Sequence, residues 1–309
     1  MKISGFTIIK NAINLGFPVV EAIRSVLDLV DEFVVRVGES DDDTEALIRS
    51  IESPKIRIVK CNWDTSTYKT NGMIYARETD LALRECTGDW CVYIQADEVL
   101  HEDAIPVIRE ACANYLNDSR VEGFLLKYYH FWGDYNHYID ARHFAYPREI
   151  RIVRNLKTIH SWRDAQSFRI IPDFDEKDYY QKEGTTKLKC VLLDAYMYHY
   201  GWARDPRCMV KKRIAQDAFY SGNEAETQKE EYFDYGNMSC MPLFKRTHPK
   251  AMNERIAAMD WNHLLRYDGA PTDMRKKFKL KYRIINFIEN TFLPEGSRIG
   301  GFRNYTLVK

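Results

Sequence analysis

Two adjacent carboxylates follow a strongly apolar stretch in the first third of the chain. Residues 88–100 read GDWCVYIQADEVL, so Asp97 and Glu98 come directly after a run with the composition of a buried strand. Carboxylate oxygens are preferred ligands of hard cations such as Mg²⁺ and Mn²⁺. The amide of Gln95 is a poorer metal ligand, but it can donate to a ribose or phosphate oxygen. The stretch is therefore a candidate site for a cation and a phosphorylated ligand.

The surrounding sequence predicts strands that alternate with helices. Apolar runs typical of buried strands occupy residues 3–9, 32–37, 55–60 and 89–95. Apolar residues recur at helical spacing in residues 19–30, 43–51, 70–86 and 101–116. Such alternation predicts a mostly parallel sheet flanked by helices, with ligands at the carboxyl ends of the strands.

The predicted ends of these strands are polar. They are Lys10-Asn11, the segment GESDDDT at 38–44, and Gln95-Ala96-Asp97-Glu98. Taken alone, GESDDDT is better explained as a turn that caps the next helix, and the same explanation is open for Asp97-Glu98. Together they bring several carboxylates to one edge of the sheet, where a divalent ion would relieve their repulsion. Such an ion could also bridge a diphosphate.

The amino-acid composition disfavours several classes of protein. Lys plus Arg and Asp plus Glu both number 45, so the formal net charge is zero, which disfavours a nucleic-acid binder. The seven cysteines form no CxxC pair, so we expect reduced thiols and a cytoplasmic location rather than a disulfide framework or a zinc site. We expect neither a signal peptide nor a membrane-spanning helix.

Three sequence blocks resemble the GT-A fold of family 2 glycosyltransferases, which use nucleotide-sugar donors. The blocks are FTIIKN at 6–11, VVRVGESDDDT at 34–44 and YARETDLALRECTGDWCVYIQADEVL at 75–100. They are similar, in this order, to the family's first strand, its second-strand block, and the helix and strand that deliver its DXD metal motif. The resemblance implies a Rossmann-type mixed, mostly parallel α/β sheet flanked by helices.

The resemblance also implies how a donor is held. Asn11, Ser40 and Asp42 fall where the family binds the nucleoside, together with Gln95 and Ala96 of the fourth strand end. Arg77 falls on an arginine that contacts the base or the diphosphate; a solvated helix-face residue is the alternative.

A Mg²⁺ or Mn²⁺ site is implied at the same strand end. Asp97 matches the metal-binding carboxylate of the DXD motif, and Glu98 matches an acid with a supporting role. The sequence departs from the family at Gln95, where the first aspartate of the motif is expected, and at Val37-Gly38, where two aspartates are common.

A late strand supplies a third candidate metal ligand. VLLDAYMYHYGWARDP at 191–206 reads as a strand that ends at His199 and is followed by a helix. A histidine after a late strand is a metal ligand in many GT-A enzymes, and His248 is the alternative. Lys211 and Arg213 on the following helix could face phosphate.

The base of an inverting reaction must be a carboxylate that takes the proton of the acceptor hydroxyl. Asp164, in SWRDAQSFRI, lies 67 residues after Asp97, a spacing compatible with this role. Glu149, in PREIRI, is the alternative base.

The chain is expected to form one GT-A domain with an extension. Residues 1–118 would bind the nucleotide-sugar, residues 119–220 the acceptor, and residues 221–309 would be mainly helical. Within that extension, residues 273–292 form a basic amphipathic stretch, which predicts either contact with an anionic membrane or a packed helix with a solvated basic face.

The predicted protein is a hexosyltransferase that moves a sugar from a nucleotide diphosphate-sugar to a saccharide or lipid-linked saccharide in cell-surface polysaccharide synthesis. A nucleotidyltransferase and a non-catalytic nucleotide- or carbohydrate-binding relative are the alternatives.

Overall fold

The computed structural model describes residues 1–221, 230–270 and 279–308. Its strands are β1 (Ile3–Ile9), β2 (Glu32–Gly38), β3 (Ile56–Cys61), β4 (Trp90–Tyr93), β5 (Glu98–Leu100), β6 (Gly123–Trp132), β7 (Arg148–Arg154), β8 (Ile159–Trp162), β9 (Ser167–Ile170), β10 (Thr186–Trp202) and β11 (Tyr305–Leu307). Its α-helices are α1 (Val19–Val26), α2 (Thr44–Arg49), α3 (Met73–Arg84), α4 (Ala104–Asn114), α5 (Pro206–Ser221), α6 (Asn253–Ala257) and α7 (Leu280–Phe292). Short 3₁₀ turns cover Met238–Cys240, Lys250–Met252 and Asn262–Leu264.

One mixed sheet carries the fold. The strand order is β3-β2-β1-β4-β7-β6-β10-β9-β8, and β5 and β11 both pair with β10. Strand β1 pairs in parallel with β2 and β4, and β2 pairs in parallel with β3. The carboxyl ends of these four strands therefore meet at one edge, which confirms the predicted α/β arrangement of the first part of the chain.

The helices cover the sheet with their apolar faces. In α1, which begins after Pro18, the buried positions Val19, Ala22, Ile23 and Val26 recur at helical spacing. That helix packs beside β5, whereas α3 packs against β1 and β8. Burial of these apolar faces, more than helix propensity, stabilises helices of this length.

The second half of the sheet contains both parallel and antiparallel pairs. Strand β7 is antiparallel to both of its neighbours, β4 and β6. Strands β8 and β9 are antiparallel because the connection between them, residues 163–166, is too short for a parallel crossover.

The 17-residue strand β10 joins the two halves. It runs parallel to β6 and antiparallel to β5, so that His199 lies opposite His130 on one side and opposite Glu98 on the other. The end of the fourth strand is thereby fixed to the late strand through backbone hydrogen bonds.

The described part of the C-terminal segment combines one long helix with short helical turns. In the described ranges 230–270 and 279–308, α7 is the single helix longer than two turns. The basic stretch 273–292 is described from residue 279 onward, and its first six residues lie outside the described part of the chain. No helix in the described ranges is long and apolar enough to cross a membrane.

Candidate functional site

A cleft of about 520 Å³ opens at the carboxyl ends of β1, β4 and β10, and α5 forms one of its walls. Six residues predicted from the sequence line it: Asn11, Gln95, Ala96, Asp97, Asp164 and His199. These residues come from four separate segments of the chain, and the sheet topology brings them together.

Asp97 lies at the base of the cleft among cations. One carboxylate oxygen, Oδ2, accepts a hydrogen bond of 3.0 Å from Lys212 Nζ and lies 3.6 Å from Arg204 Nη2. Burial alone would raise the pKa of Asp97, but the charges of Lys212 and Arg204 hold it well below its ordinary value. Burial lowers the pKa of Lys212 to about 8, so the ammonium group is charged at neutral pH. The site therefore has an ionised carboxylate and an excess of positive charge, which suits an anionic ligand.

His199 presents an unprotonated nitrogen to Asp97. His130 Nε2 lies 2.7 Å from the carbonyl oxygen of Tyr146, which can only accept, so this nitrogen carries the proton. Burial lowers the pKa of His130 to about 4, so its Nδ1 is free to accept from His199 Nδ1, 3.0 Å away. Burial also lowers the pKa of His199 well below its ordinary value. Its Nε2 therefore carries a lone pair, 3.8 Å from Asp97 Oδ1.

The lone pair of His199 Nε2 and the carboxylate oxygen Oδ1 of Asp97 provide two donor atoms that suit one divalent cation. Mg²⁺ and Mn²⁺ accept mixed oxygen and nitrogen donors, and the remaining coordination positions are commonly filled by water and substrate phosphates. The described residues contain no cluster of three or more His, Cys, Asp or Glu side chains at metal-binding distance. Asp97 Oδ1 and His199 Nε2 thus form a set of two donor atoms, which a cation would have to complete with ligands from outside the described residues.

Glu98 supports the site from within the core. Its carboxylate accepts two hydrogen bonds from Arg151, of 2.9 and 2.8 Å, and one of 2.8 Å from the hydroxyl of Tyr128. It also accepts from the backbone N–H of Gln95 at 3.1 Å. Arg151 and Glu98 are both fully buried. Glu98 therefore fixes the turn that carries Gln95 and Asp97, and it does not line the cleft.

Asp164 also lines the cleft, and the carbonyl of the next residue, Ala165, accepts from Gln95 Nε2 at 3.5 Å. Asp164 Oδ2 accepts a hydrogen bond from the hydroxyl of Tyr220, near the end of α5. The backbone N–H groups of Asn71 and Gly72 donate to the carbonyls of Tyr220 and Phe219 at 3.0 and 2.9 Å. Gly72 has φ +66°, and a Cβ there would lie 2.9 Å from Cβ of Asp164. The end of α5 is thus docked beside the candidate base.

Ser40 and Asp42 shape the loop beside Asn11 and do not line the cleft. Ser40 Oγ accepts from the backbone N–H of Asn11 at 3.1 Å, and Asp42 Oδ2 accepts from that of Asn14 at 2.8 Å. Asn11 has φ 54° and exchanges side-chain hydrogen bonds with Asp41. The geometry supports an indirect role for Ser40 and Asp42, through the position of Asn11.

Three other candidates lie outside the residues that line the cleft. Arg77 pairs with the buried Glu78, and its guanidinium lies over the ring of Tyr68. Glu149 accepts from Ser167 Oγ at 2.8 Å within the sheet. His248 lies 2.7 Å from the hydroxyl of Tyr200 in a separate aromatic cluster. None of the three is among the described residues that line the cleft.

Several residues of the cleft were missed by sequence reasoning. On α5, Lys212 reaches Asp97, whereas the neighbours expected to face phosphate, Lys211 and Arg213, point elsewhere: Lys211 is exposed, and Arg213 lies over the ring of Phe233. The missed wall of the cleft is aromatic, and it includes Phe17, Trp63, Tyr75, Phe219 and Tyr220. The aromatic composition of KRIAQDAFYS was the available signal, but it is equally typical of a core.

Comparison with known proteins gives a consistent assignment. The family model described as glycosyl transferase family 2 matches residues 14–173. An uncharacterized glycosyltransferase of Rickettsia felis is 30% identical over 117 residues, which are 38% of this chain and 36% of that protein.

Two solved structures are similar to parts of the chain. TarS of S. aureus is 15% identical with a TM-score of 0.40, over 70% of this chain and 39% of that one. Glucosyl-3-phosphoglycerate synthase of Mycobacterium tuberculosis, solved with Mn²⁺, UDP and phosphoglyceric acid, is 22% identical with a TM-score of 0.29, over 42% of this chain and 43% of that one. The matches thus span well under two thirds of the length of each of these three relatives.

The family model covers more than half of the chain, from the loop after β1 to the end of β9, and includes Asp97 and Asp164. The chain therefore belongs to glycosyl transferase family 2, and its mixed α/β sheet has the GT-A fold.

Proposed function

We propose that this protein transfers a sugar, a hexose, from a nucleotide diphosphate-sugar to a saccharide or lipid-linked saccharide acceptor in cell-surface polysaccharide synthesis. The observation that carries the proposal is the convergence of Asn11, Asp97, Asp164 and His199 on one cleft with an excess of buried positive charge. Lys212 and Arg204 suit the negative charge of a diphosphate, and the aromatic wall that includes Trp63 suits a nucleobase.

Asp97 and His199 would hold Mg²⁺ or Mn²⁺ in this proposal. A cation bound there would neutralise charge on the diphosphate leaving group. Lys212, charged at neutral pH, would bind the same phosphates from α5. Gln95 would donate its amide to the donor instead of contributing a second carboxylate.

Asp164 would act as the base of an inverting reaction. Its carboxylate would take the proton of the acceptor hydroxyl while the oxygen attacks the anomeric carbon and the nucleoside diphosphate leaves from the opposite face. Tyr220, which donates to Oδ2, would orient the carboxylate.

Calorimetry and turnover together test the proposal. Titration with UDP, GDP, CDP and ADP, with and without Mn²⁺, should find one nucleoside diphosphate that binds and is strengthened by the metal. Asp97→Asn should abolish the metal dependence. Asp164→Asn should bind the donor normally but lose turnover by about 10²–10⁴-fold, and Asp173→Asn, an exposed aspartate, should do neither.

The alternatives predict different results. A non-catalytic relative would bind without hydrolysis or transfer from any nucleotide-sugar, and a nucleotidyltransferase would release pyrophosphate from a nucleoside triphosphate. Either result contradicts the proposed reaction.

The exposed face of α7 supports a further part of the proposal, contact with an anionic membrane on the cytoplasmic side. Its large apolar residues face solvent with exposed fractions between 37% and 71%: Leu280, Ile284, Phe287, Ile288 and Phe292. The polar Glu289 is instead buried, where it accepts from His143 Nε2 at 3.0 Å. Exposed Lys281 and Arg283 flank the apolar stripe, a pattern typical of helices that lie on anionic lipid.

Flotation of the full-length protein with liposomes tests this contact. Binding to vesicles with anionic lipid should exceed binding to neutral vesicles and should fall strongly in the Ile284→Glu/Phe287→Glu double variant. Leu243→Glu, at another exposed apolar residue, is the matched control. Dimerisation through α7, detected by light scattering and lost in the same double variant, would contradict membrane docking.

A further inference from the structure

A second, smaller pocket lies against the wall of the cleft. It has a volume of about 170 Å³, and its lining includes Tyr146 and Gln166, which also line the cleft. Gln166 is two residues from Asp164, the proposed base. A group bound in this pocket would therefore be adjacent to the place where the acceptor hydroxyl must lie.

Three arginines give this pocket its charge. Arg148, Arg163 and Arg298 line it, and we refer to it as the arginine pocket. In the part of the chain that the structure describes, none of the three forms an ion pair with a carboxylate. The single acid in the lining, Glu149, is buried, and desolvation raises its pKa. The pocket is therefore strongly positive.

The guanidinium groups are held in place: Arg298 donates to the carbonyls of Arg142 and Phe302, at 3.5 and 2.5 Å, whereas Arg148 and Arg163 keep N–H groups without a partner among the described residues. Arg148 donates through Nε to the hydroxyl of Tyr305, at 2.5 Å, and its terminal nitrogens have no partner among the described residues. Arg163 lies over the rings of Trp162 and Phe302, at 4.4 and 5.1 Å from their centroids. Its buried Nε has no hydrogen-bond partner in the described ranges.

The backbone at Arg163 is also unusual. This residue has φ 63°, in the left-handed region that residues other than glycine rarely adopt. Strained backbone of this kind is found most often at ligand-binding sites. Arg169 lies near this pocket: burial and the charge of Arg163 both lower its pKa.

We propose that the arginine pocket binds an anionic group, a phosphate or a carboxylate, of the acceptor saccharide. Unpaired arginine N–H groups recognise these planar or tetrahedral anions by charge-assisted hydrogen bonds. The assignment rests on the proposed glycosyl transfer, and it narrows the acceptor to an acidic or phosphorylated sugar.

The full-length protein is first saturated with the nucleoside diphosphate that it binds, so that the anionic sugars cannot bind in the nucleotide cleft. Glucose 6-phosphate, glucuronate and neutral glucose are then titrated by calorimetry. We expect one or both anionic sugars to bind and glucose to bind at least tenfold more weakly. Comparison of the phosphate with the carboxylate identifies which anion the pocket selects.

Single variants locate the binding. Arg163→Gln and Arg298→Gln should each weaken binding of the preferred anionic sugar by about tenfold or more, which corresponds to about 1.4 kcal/mol. Arg298→Lys should restore part of the loss. Affinity for the nucleoside diphosphate should stay unchanged in all of them, which also shows that they are folded. Arg303→Gln, at a neighbouring exposed arginine, is the matched control.

Failure of this inference can be told apart from failure of the proposed function. Three results would overturn the proposal for the arginine pocket while nucleotide binding stands. They are equal affinity for glucose and the charged sugars, no binding of glucose 6-phosphate or of glucuronate, and wild-type affinity in both the Arg163→Gln and the Arg298→Gln variants. Absence of nucleoside diphosphate binding would instead overturn the donor site, and the same titrations without nucleotide would still test the pocket.

Discussion

The buried pair of Arg151 and Glu98 holds the turn that carries Asp97. Replacing Arg151 with Met would leave an uncompensated carboxylate in the core, so we expect a loss of about 3–5 kcal/mol in the free energy of unfolding. Arg57→Met breaks an exposed pair with Glu85 and should cost under about 1 kcal/mol. Urea denaturation measures both, and similar losses in the two variants would contradict a structural role for the buried pair.

Gly201 allows His199 and Asp97 to approach each other. A Cβ at this position would lie 2.4 Å from Cε1 of His199 and 2.9 Å from Oδ2 of Asp97, so the imidazole must move. We expect Gly201→Ala to weaken the Mn²⁺-dependent part of nucleotide binding by about 10–100-fold. Calorimetry with and without Mn²⁺ measures this, with His199→Ala as the reference for complete loss of the ligand. Wild-type metal dependence in Gly201→Ala would contradict the prediction.

At this scale, sequence reasoning found residues at or near the ends of strands and missed those that reach the site from elsewhere. Asp97 lies four residues after the end of β4 and His199 lies in the last part of β10, so the strands fix where both residues lie. Lys212 depends on which face of α5 turns to the sheet, and Arg151 depends on the pairing of β7 with β4. Neither the helix rotation nor the strand pairing is encoded in a local pattern.

Glu32, the first residue of β2, forms hydrogen bonds that connect β2 to β1 and to the residues before β4. Its carboxylate accepts from Ser4 Oγ in β1 and from the N–H and hydroxyl of Thr87 before β4, and Lys2 lies 3.2 Å away. Burial alone would raise its pKa, but these hydrogen bonds lower it from 4.5 to about 2.

That lowered pKa predicts an acid-dependent contribution of β2 to stability. A carboxyl whose pKa is lower in the folded state stabilises the protein above its unfolded pKa, and the contribution disappears as the pH falls through the folded value. The stability advantage of the wild type over Glu32→Gln should therefore be full at pH 6 and vanish between about pH 4.5 and about pH 2. Urea unfolding across this range measures it, and a constant difference would contradict the assignment.

The predicted elements differ from the observed ones mainly where strands are short. Strands β5, β8 and β11 have three or four residues each, too few to produce a periodic signal. In α7 the amphipathic pattern was visible, but a pattern cannot tell which face will pack. The structure buries the polar Asn286 and Glu289 and leaves the apolar stripe exposed.

Residues 1–220 should unfold as one cooperative unit. The donor half, predicted as residues 1–118, and the acceptor half, residues 119–220, share one sheet in which β4 pairs with β7. Separation of the halves would expose an uncapped sheet edge and part of the common core. Scanning calorimetry should therefore show a single transition with equal calorimetric and van't Hoff enthalpies. Two resolved transitions that assign to these halves would contradict the prediction.

The ladder between β10 and β5 has a consequence for protein engineering. Because His199 lies opposite Glu98 in that ladder, a residue from the late part of the chain is fixed in register with the start of β5, next to Asp97. A chimera that exchanges everything after residue 118 between relatives would import a foreign β10 and lose this register. We expect chimeras that keep residues 186–202 with residues 1–118 to retain the candidate site, and we therefore expect the segments between β6 and β9 to be easier to exchange than the whole of residues 119–220.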